Sequence, residues 1–329
     1  MVARFWARSG ETVWLDEEGY LAEPDRYPWA SSKLYGLDEL ASEPCLLLLG
    51  EPGIGKSTAL AEYARDFTAE PVRVFQLKNF EAADLERSLF ASAWFREWEA
   101  NSTTLHLFLD SLDECQGRAP TVTAKIISLL GGLAPDTRAR LRLRIACRTQ
   151  QVPPSLMDGL MQLWSQVSSY ELAPLRWQDV QVEAQRCQQP ETFLRELQTC
   201  RLGPLASRPI TLKFLIRMAE QGPLPSSRAE IYQRGCRQLC EEPDRDRRFL
   251  AWQRPQLDAS RRLEVAEQIA TAMLLSQRMG VWMGAEPAPQ RDDWTVQELW
   301  QVAIRMSGLS SGLTLPQFRG HPEQPLAAV

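Results

Sequence analysis

Short apolar runs alternate with helix-like stretches between residues 44 and 172, and this alternation constrains the fold more than any other feature of the sequence. The five runs are CLLLLG (45–50), PVRVFQL (71–77), TLHLFLD (104–110), LRLRIACR (141–148) and VSSYEL (167–172). Strands that are separated by helices predict βαβ units. The sequence therefore predicts an α/β fold with a mainly parallel sheet.

A glycine-rich segment, here called the glycine loop (residues 50–57), follows the first run. Gly50, Glu51, Pro52, Gly53, Ile54, Gly55, Lys56 and Ser57 match G-x-x-x-x-G-K-[ST] at every fixed position, and the helical run TALAEYARDF follows. Glycines allow a tight turn in which successive N–H groups point at phosphate oxygens, next to the positive end of a helix. We expect this loop, with Thr58, to bind nucleotide phosphates, with Lys56 along the β- and γ-phosphates and the Ser57 hydroxyl as a Mg²⁺ ligand.

A carboxylate, Asp110, ends the run LHLFLD. Ligands of open α/β sheets bind beyond the carboxyl ends of the strands. We therefore expect Asp110 to hold Mg²⁺ through water. Asp113 and Glu114 follow, and either of them can act as the general base that polarises an attacking water; the sequence leaves both open, and we favour Glu114. His106 lies among strand residues, where we expect it to pack rather than to bind a ligand.

The run LRLRIACR ends in Arg148, which we expect at the same edge of the sheet. An arginine there can contact the γ-phosphate and sense its presence, although a plain surface position is the alternative. Arg140, Arg142 and Arg144 alternate with leucines, and we expect these three to face solvent at the start of the strand.

The remaining chain has a different pattern. Residues 1–43 form a short extension in which pieces such as TVWL (12–15) can form one or two strands. After Pro174, apolar residues recur at helical spacing, which predicts helices. Two helix starts have local signals, because Ser227 with Glu230 fits a capping box and Pro209 fits the first turn of ITLKFLIRM.

Composition excludes several classes of function. The net charge is −5 and the 37 basic residues are spread along the chain, so a broad nucleic-acid or anionic-membrane surface is not indicated. The 7 cysteines are odd in number and scattered, which argues against a disulfide framework or a zinc site. The first residues do not fit a signal peptide, and no apolar run is long enough to cross a bilayer. We expect a soluble, cytoplasmic protein.

Taken together, the segments resemble the NACHT branch of the STAND (signal-transduction) ATPases. The resemblance covers roughly residues 40–315 and rests on LLLLGEPGIGKST, FLDSLDE, RIACRT, ELAPLRWQDV, SRPITLKFLIRMAE and RAEIYQRGCRQL. The first two motifs are shared with many ATPases, whereas the D-S-L-D-E form and the order of the later segments are more specific.

The resemblance implies a P-loop NTPase three-layer sandwich followed by a helical domain and a partial winged-helix region. It divides the chain into an N-terminal extension (1–43), a nucleotide-binding domain (44–174), a helical domain (175–280) with Pro209 near the adenine, and a partial winged helix and tail (281–329). It also implies a slow ATP hydrolase that binds ATP/ADP and Mg²⁺ and self-associates on activation by a trigger or with an effector supplied elsewhere. Bacterial antiphage defence follows by analogy alone.

Members of this family usually carry an effector domain and a long repeat sensor, which this sequence lacks, so we expect a fragment, a truncated reading frame or an isolated nucleotide-binding core. Two other classes stay open: an AAA-type or small-molecule-kinase ATPase, and a scaffold that binds nucleotide without hydrolysing it. The sequence does not distinguish ATP from GTP.

Overall fold

The computed structural model describes residues 3–23, 27, 33–80, 82–115, 119–225, 227–241, 258–276, 278, 280–282, 293–295 and 297–299. The chain divides into two compact units, Met1–Ser227 and Arg228–Val329. The boundary suggested by the sequence, at 174/175, falls inside the first unit, and the extent of a separate helical domain stays a prediction. Most of the predicted winged-helix region, 281–329, lies outside the described residues.

The first unit contains a mixed, mostly parallel sheet of seven strands. These are β1 (Trp6–Arg8), β2 (Leu34–Tyr35), β3 (Cys45–Leu49), β4 (Val72–Gln76), β5 (Leu105–Asp110), β6 (Leu141–Ala146) and β7 (Ser168–Leu172). Their order across the sheet is β2-β1-β7-β3-β6-β5-β4. Strands β7, β3, β6, β5 and β4 run parallel, and β1 is antiparallel to both β7 and β2. The predicted α/β class, the mainly parallel sheet and its five strands are confirmed.

Helices connect the parallel strands and continue after the last one. In the first unit they are α1 (Lys56–Asp66), α2 (Ala82–Leu85), α3 (Ala93–Ala100), α4 (Ala119–Gly131), α5 (Pro135–Ala139), α6 (Pro154–Leu163), α7 (Trp177–Ala184), α8 (Pro190–Thr199), α9 (Gly203–Ala206) and α10 (Pro209–Gln221). Short turns of other helix types span Leu77–Asn79, Glu86–Phe90, Leu112–Glu114 and Thr149–Gln151. Pro209 begins α10, as its position in the sequence predicted.

The described part of the second unit contains two long helices and a strand pair. These are α11 (Arg228–Cys240), α12 (Ala259–Ser276), β8 (Gly280–Trp282) and β9 (Asp293–Thr295), of which the two strands pair in parallel. Helix α11 starts directly after Ser227, where the capping signal lies. None of the described helices has the length and apolar character needed to cross a membrane.

Two hydrophobic clusters cover the two faces of the sheet. Every residue of β3 and of β5 is buried, which is expected of parallel strands covered on both faces. On one face, Leu47 and Leu107 belong to a cluster completed by residues of α2, α3, α4 and α6. On the other face, Leu46 and Phe108 pack with residues of α1 and with Leu40. Because the strands between these layers are parallel, their carboxyl ends meet at one common edge of the sheet.

The N-terminal extension adds two strands to the sheet, but not at the predicted place. Of the piece TVWL (12–15), only Leu15 makes an isolated bridge, to Leu21. The side chains of Trp14 and Leu15 are 51% and 48% exposed, so this alternation buries little apolar surface. Strand β1 instead buries Trp6 and Ala7 as it pairs with β7.

The prediction that Arg144 faces solvent is wrong, because this residue is only 2% exposed. Its guanidinium donates hydrogen bonds to the carbonyl oxygens of Leu40 (3.0 Å), Ala41 (2.8 Å) and Glu43 (2.7 Å). Desolvation lowers the pKa of Arg144 to about 10. Arg140 and Arg142 are partly exposed, so the prediction that they face solvent is closer to the structure than it is for Arg144.

Candidate functional site

A cavity of about 270 Å³ opens where the carboxyl ends of the parallel strands meet the start of α10. Its walls combine glycine-loop residues with charged residues from other segments, and they comprise Glu51, Pro52, Gly53, Gly55, Lys56, Ser57, Thr58, Asp110, Ser111, Asp113, Glu114, Arg148, Pro209, Ile210 and Lys213. Of the predicted site residues, only Gly50 and Ile54 do not line it. Ile54 is buried in the core, and Gly50 acts through its carbonyl oxygen.

The first turn of α1 faces this cavity without a side-chain cap. Gly55 precedes Lys56, the first helical residue, with a left-handed φ of 95°, and as the N-cap it makes no side-chain hydrogen bond to the first turn. The first N–H groups of a helix have no partner within it. They therefore present donors and the positive end of the helix dipole to any anion in the cavity.

Two glycines of the loop are required by both conformation and space. Gly53 has φ of 73°, and a Cβ there would lie 2.4 Å from Cγ2 of Ile210. A Cβ at Gly55 would lie 2.9 Å from Nη1 of Arg4 and 3.3 Å from Cγ of Pro209. The loop is thus packed between the N-terminal segment and the first turn of α10, which also donates the Ile210 N–H to the Gly53 carbonyl oxygen at 3.3 Å.

The ammonium group of Lys56 lies within its own loop. Nζ donates to the carbonyl oxygens of Gly50 at 2.5 Å and Glu51 at 3.3 Å. Burial lowers the pKa of Lys56, and the nearby carboxylate of Asp113 opposes this shift. Because an ammonium has three N–H donors, these two bonds leave the third for an oxygen in the cavity.

Asp110 ends β5 with a carboxylate that is almost fully buried. The side-chain amide of Gln76, at the end of β4, donates to its Oδ2 at 2.9 Å, which fixes the orientation of the carboxylate. Among the described residues, no group of three or more His, Cys, Asp or Glu side chains could hold a metal ion. Asp110 and the Ser57 hydroxyl are a small set of oxygen donors, which suits Mg²⁺ because this ion usually takes its other ligands from water and substrate phosphates.

The two acidic residues after Asp110 have different surroundings. Asp113 has a side chain only 3% exposed, and its carboxylate accepts hydrogen bonds from the backbone N–H of Arg148 (3.0 Å) and from Nε of the same residue (2.8 Å). The Glu114 side chain is 37% exposed and lies 3.7 Å from the Lys78 ammonium. Of these two acids, only Glu114 therefore has a carboxylate that is accessible from the cavity and is not tied to a buried pair.

Ser111 turns the chain between these carboxylates. It has φ of 62°, a left-handed conformation that is uncommon for a residue with a Cβ, and it is buried. The turn Leu112–Glu114 follows at once, and the Glu114 N–H donates to the Ser111 carbonyl oxygen at 3.1 Å. This turn brings Asp113 and Glu114 back to the edge of the sheet at which Asp110 lies.

Sequence reasoning missed four residues at the site: Arg4, Ser111, Ile210 and Lys213. Lys213 lies four residues after Pro209, so the two share a face of α10, and this spacing was the available signal. No sequence signal marks Arg4 or Ile210, because their contacts with the loop depend on how distant segments pack.

No protein-family model matches the chain, and no curated protein matches it significantly.

Proposed function

We propose that the protein binds ATP and ADP with Mg²⁺ in this cavity and hydrolyses ATP slowly, as a nucleotide-controlled switch of the NACHT/STAND type. One observation carries the proposal: the glycine loop, the buried carboxylate of Asp110 and the guanidinium of Arg148 line one cavity although they follow three different strands. A chance glycine-rich turn has no reason to lie beside the other two. A P-loop NTPase requires the loop and the aspartate at one site, and an arginine from the same chain is one way to contact the γ-phosphate.

Different residues of the cavity would bind different parts of the nucleotide and its metal ion. The N–H groups of the loop and the first turn of α1 would hold the phosphates, and Lys56 would add its third N–H donor. Ser57 and Asp110 would hold Mg²⁺, which supplies neutralisation of the phosphate charge. Pro209 and Ile210 border the same cavity and offer apolar contacts to the remainder of the nucleotide.

Hydrolysis requires a group that can accept a proton from water, and the geometry favours Glu114 for this role. Asp113 is held by two hydrogen bonds from Arg148, so its place in the site is to orient that arginine. A guanidinium has five N–H donors, and the bond through Nε leaves its terminal nitrogens for the γ-phosphate. Arg148 would then distinguish ATP from ADP.

A switch requires contacts that differ between the two nucleotide states. The γ-phosphate would contact Lys56 and Arg148 only when ATP is bound. We infer that this difference biases a conformational equilibrium and thereby self-association on activation, with a trigger or effector supplied by another protein. A role in antiphage defence is part of the proposal only through the resemblance of the sequence motifs.

The test compares ATP, ADP and GTP for binding, turnover and particle mass on the full chain. The switch predicts tight binding of ATP and ADP, slow turnover, and a larger particle with ATP than with ADP. Fast steady turnover that depends on an added phosphate acceptor would favour a kinase instead. Binding with no turnover above the Glu114→Gln background would favour a scaffold, and absence of nucleotide binding would overturn the proposal.

A further inference from the structure

The guanidinium of Arg4 joins the glycine loop to the chain that follows the last parallel strand. Nη1 donates to the carbonyl oxygen of Ile54 at 3.0 Å, and Nη2 donates to the carbonyl oxygen of Ala173 at 2.8 Å. Desolvation lowers the pKa of Arg4 to about 10, and the charges of Asp179 and Glu62 oppose this shift. Arg4 therefore stays protonated at neutral pH and is held by backbone carbonyls in a partly dry position.

The backbone around Arg4 keeps the side chain in place. Ala173 donates its N–H to the carbonyl oxygen of Phe5 at 2.9 Å, and Trp6 pairs with Leu172 where β1 joins β7. Because the two residues that follow Arg4 are fixed by main-chain pairing, the guanidinium approaches the loop from a rigid base. The N-terminal segment is thus part of the wall that supports the loop.

The hydrogen bond from Arg4 to the Ile54 carbonyl oxygen orients the whole peptide group between Ile54 and Gly55. A peptide group is planar and trans, so the C=O of Ile54 and the N–H of Gly55 point in opposite directions. Arg4 packs against the side of the loop where a Cβ at Gly55 would lie 2.9 Å from Nη1. With the Ile54 carbonyl oxygen bound to Arg4, the Gly55 N–H is directed away from the guanidinium and is kept as a donor for a phosphate oxygen.

We propose that Arg4 is a positioning residue for the phosphate site: it holds the Ile54–Gly55 peptide in the orientation that binds phosphate and so raises nucleotide affinity without touching the nucleotide. This inference rests on the proposed nucleotide site. Without Arg4, the peptide can rotate between orientations, and part of the binding free energy is spent on ordering it. We expect Arg4→Ala to weaken binding of ATP with Mg²⁺ about tenfold, which is about 1.4 kcal/mol.

The experiment measures ATP affinity and the midpoint of thermal unfolding without nucleotide for the parent chain, Arg4→Ala and Arg8→Ala. Arg8 is the matched control, because it lies four residues further along the N-terminal segment, carries the same charge and is exposed. We expect Arg8→Ala to bind ATP like the parent. Ethylguanidinium at millimolar concentration should restore part of the affinity of Arg4→Ala, which a purely structural defect would not allow. Parent-like affinity in a folded Arg4→Ala protein overturns the inference.

Two further variants keep the result decisive. If Arg4→Ala does not fold, Arg4→Lys is measured instead: its ammonium keeps the charge but cannot reach both carbonyls with a fixed fork. Severalfold weaker binding by the folded Arg4→Lys supports the inference, and parent-like binding overturns it. Lys56→Ala reports on the nucleotide site itself. Loss of affinity in Lys56→Ala with none in the Arg4 variants refutes the role of Arg4 alone, whereas no effect of Lys56→Ala refutes the proposed site.

Discussion

Arg148 binds the carboxylate of Asp113 with both its backbone N–H and its Nε, at 3.0 Å and 2.8 Å. The two residues follow different strands, β6 and β5, which are neighbours in the sheet. The pair therefore links the segment that follows β5 to the segment that follows β6. It also separates the roles of two adjacent acids, since Glu114 has no part in this pair.

Glu114→Gln should slow ATP hydrolysis by roughly a hundredfold or more, because it removes the proton acceptor while keeping the size of the side chain. ATP affinity should change little. Single-turnover hydrolysis and equilibrium binding, measured on the same preparation, check this. Equal hydrolysis by Glu114→Gln and the parent would remove Glu114 from the mechanism.

Asp113→Asn should lower the free energy of unfolding as well as the rate of ATP hydrolysis. The carboxylate is buried but Arg148 is 38% exposed, so water screens the pair, and we expect a loss of about 1 kcal/mol in the free energy of unfolding. A double-mutant cycle with Arg148→Ala measures the coupling. If the two substitutions are additive, the ion pair contributes nothing in solution.

Lys56→Ala should weaken ATP binding roughly ten- to a hundredfold, because charged hydrogen bonds contribute about 1.5 to 3 kcal/mol each. Titration of ATP with Mg²⁺ checks this. Lys125→Ala is the control, since it removes the same charge from an exposed ion pair with Glu86, and neither residue lines the cavity. Parent-like affinity in Lys56→Ala contradicts the assignment of the glycine loop.

Gly53→Ala should destabilise the protein more than Gly10→Ala. Both glycines have left-handed φ values, 73° and 85°, so both substitutions carry a conformational cost of about 1 kcal/mol. Only at Gly53 does the new Cβ meet another residue, Ile210, and we expect a further loss of about 1 to 3 kcal/mol. Chemical unfolding of both variants isolates the clash. Equal losses would mean that α10 does not press on the loop.

Stability should fall as the pH is lowered below about 6.5, because of His106. Burial and the charges of Arg144 and Arg142 lower the pKa of His106 from its ordinary 6.5, and the hydrogen bond to Glu70 offsets only part of this. The unfolded chain then binds a proton that the folded chain resists, so unfolding becomes easier as the pH falls, by at most about 1.4 kcal/mol per pH unit.

His106→Gln should remove this pH dependence, because glutamine does not titrate but can still donate a hydrogen bond to Glu70. Urea unfolding between about pH 7 and pH 5 compares it with the parent. The chain has 2 histidines, and His321 is the other. His321→Gln, which should leave the slope unchanged, is therefore the control. An equal slope in the parent and in His106→Gln would contradict the prediction.

The strands and the main site residues could be predicted because their signals are local. A strand buried on both faces, such as β3 or β5, must be apolar throughout, and a turn that leads into a helix over phosphates requires glycines at fixed spacing. The order of the strands brings these segments to one edge, so Lys56 and Asp110 line the same cavity although β6 lies between their strands.

What could not be predicted depends on contacts between distant segments. Arg144 alternates with leucines, which favours a solvent-exposed face, yet carbonyl groups of residues 40–43 supply acceptors that allow its burial. The acceptors for Arg4 likewise come from two remote parts of the chain. A sequence pattern reports on neighbours along the chain and does not show which carbonyl oxygens approach from elsewhere.

The strand order also has a consequence for biosynthesis. The glycine loop follows strand β3, but both neighbours of this strand, β6 and β7, are translated much later. Strand β3 therefore has two open edges until β6 has been made, and one open edge until β7 has been made. The cavity is also lined by Pro209 and Ile210 of α10, so a nucleotide can meet the whole site only in a chain that has emerged past α10. Until then, the unpaired apolar strand is open to aggregation.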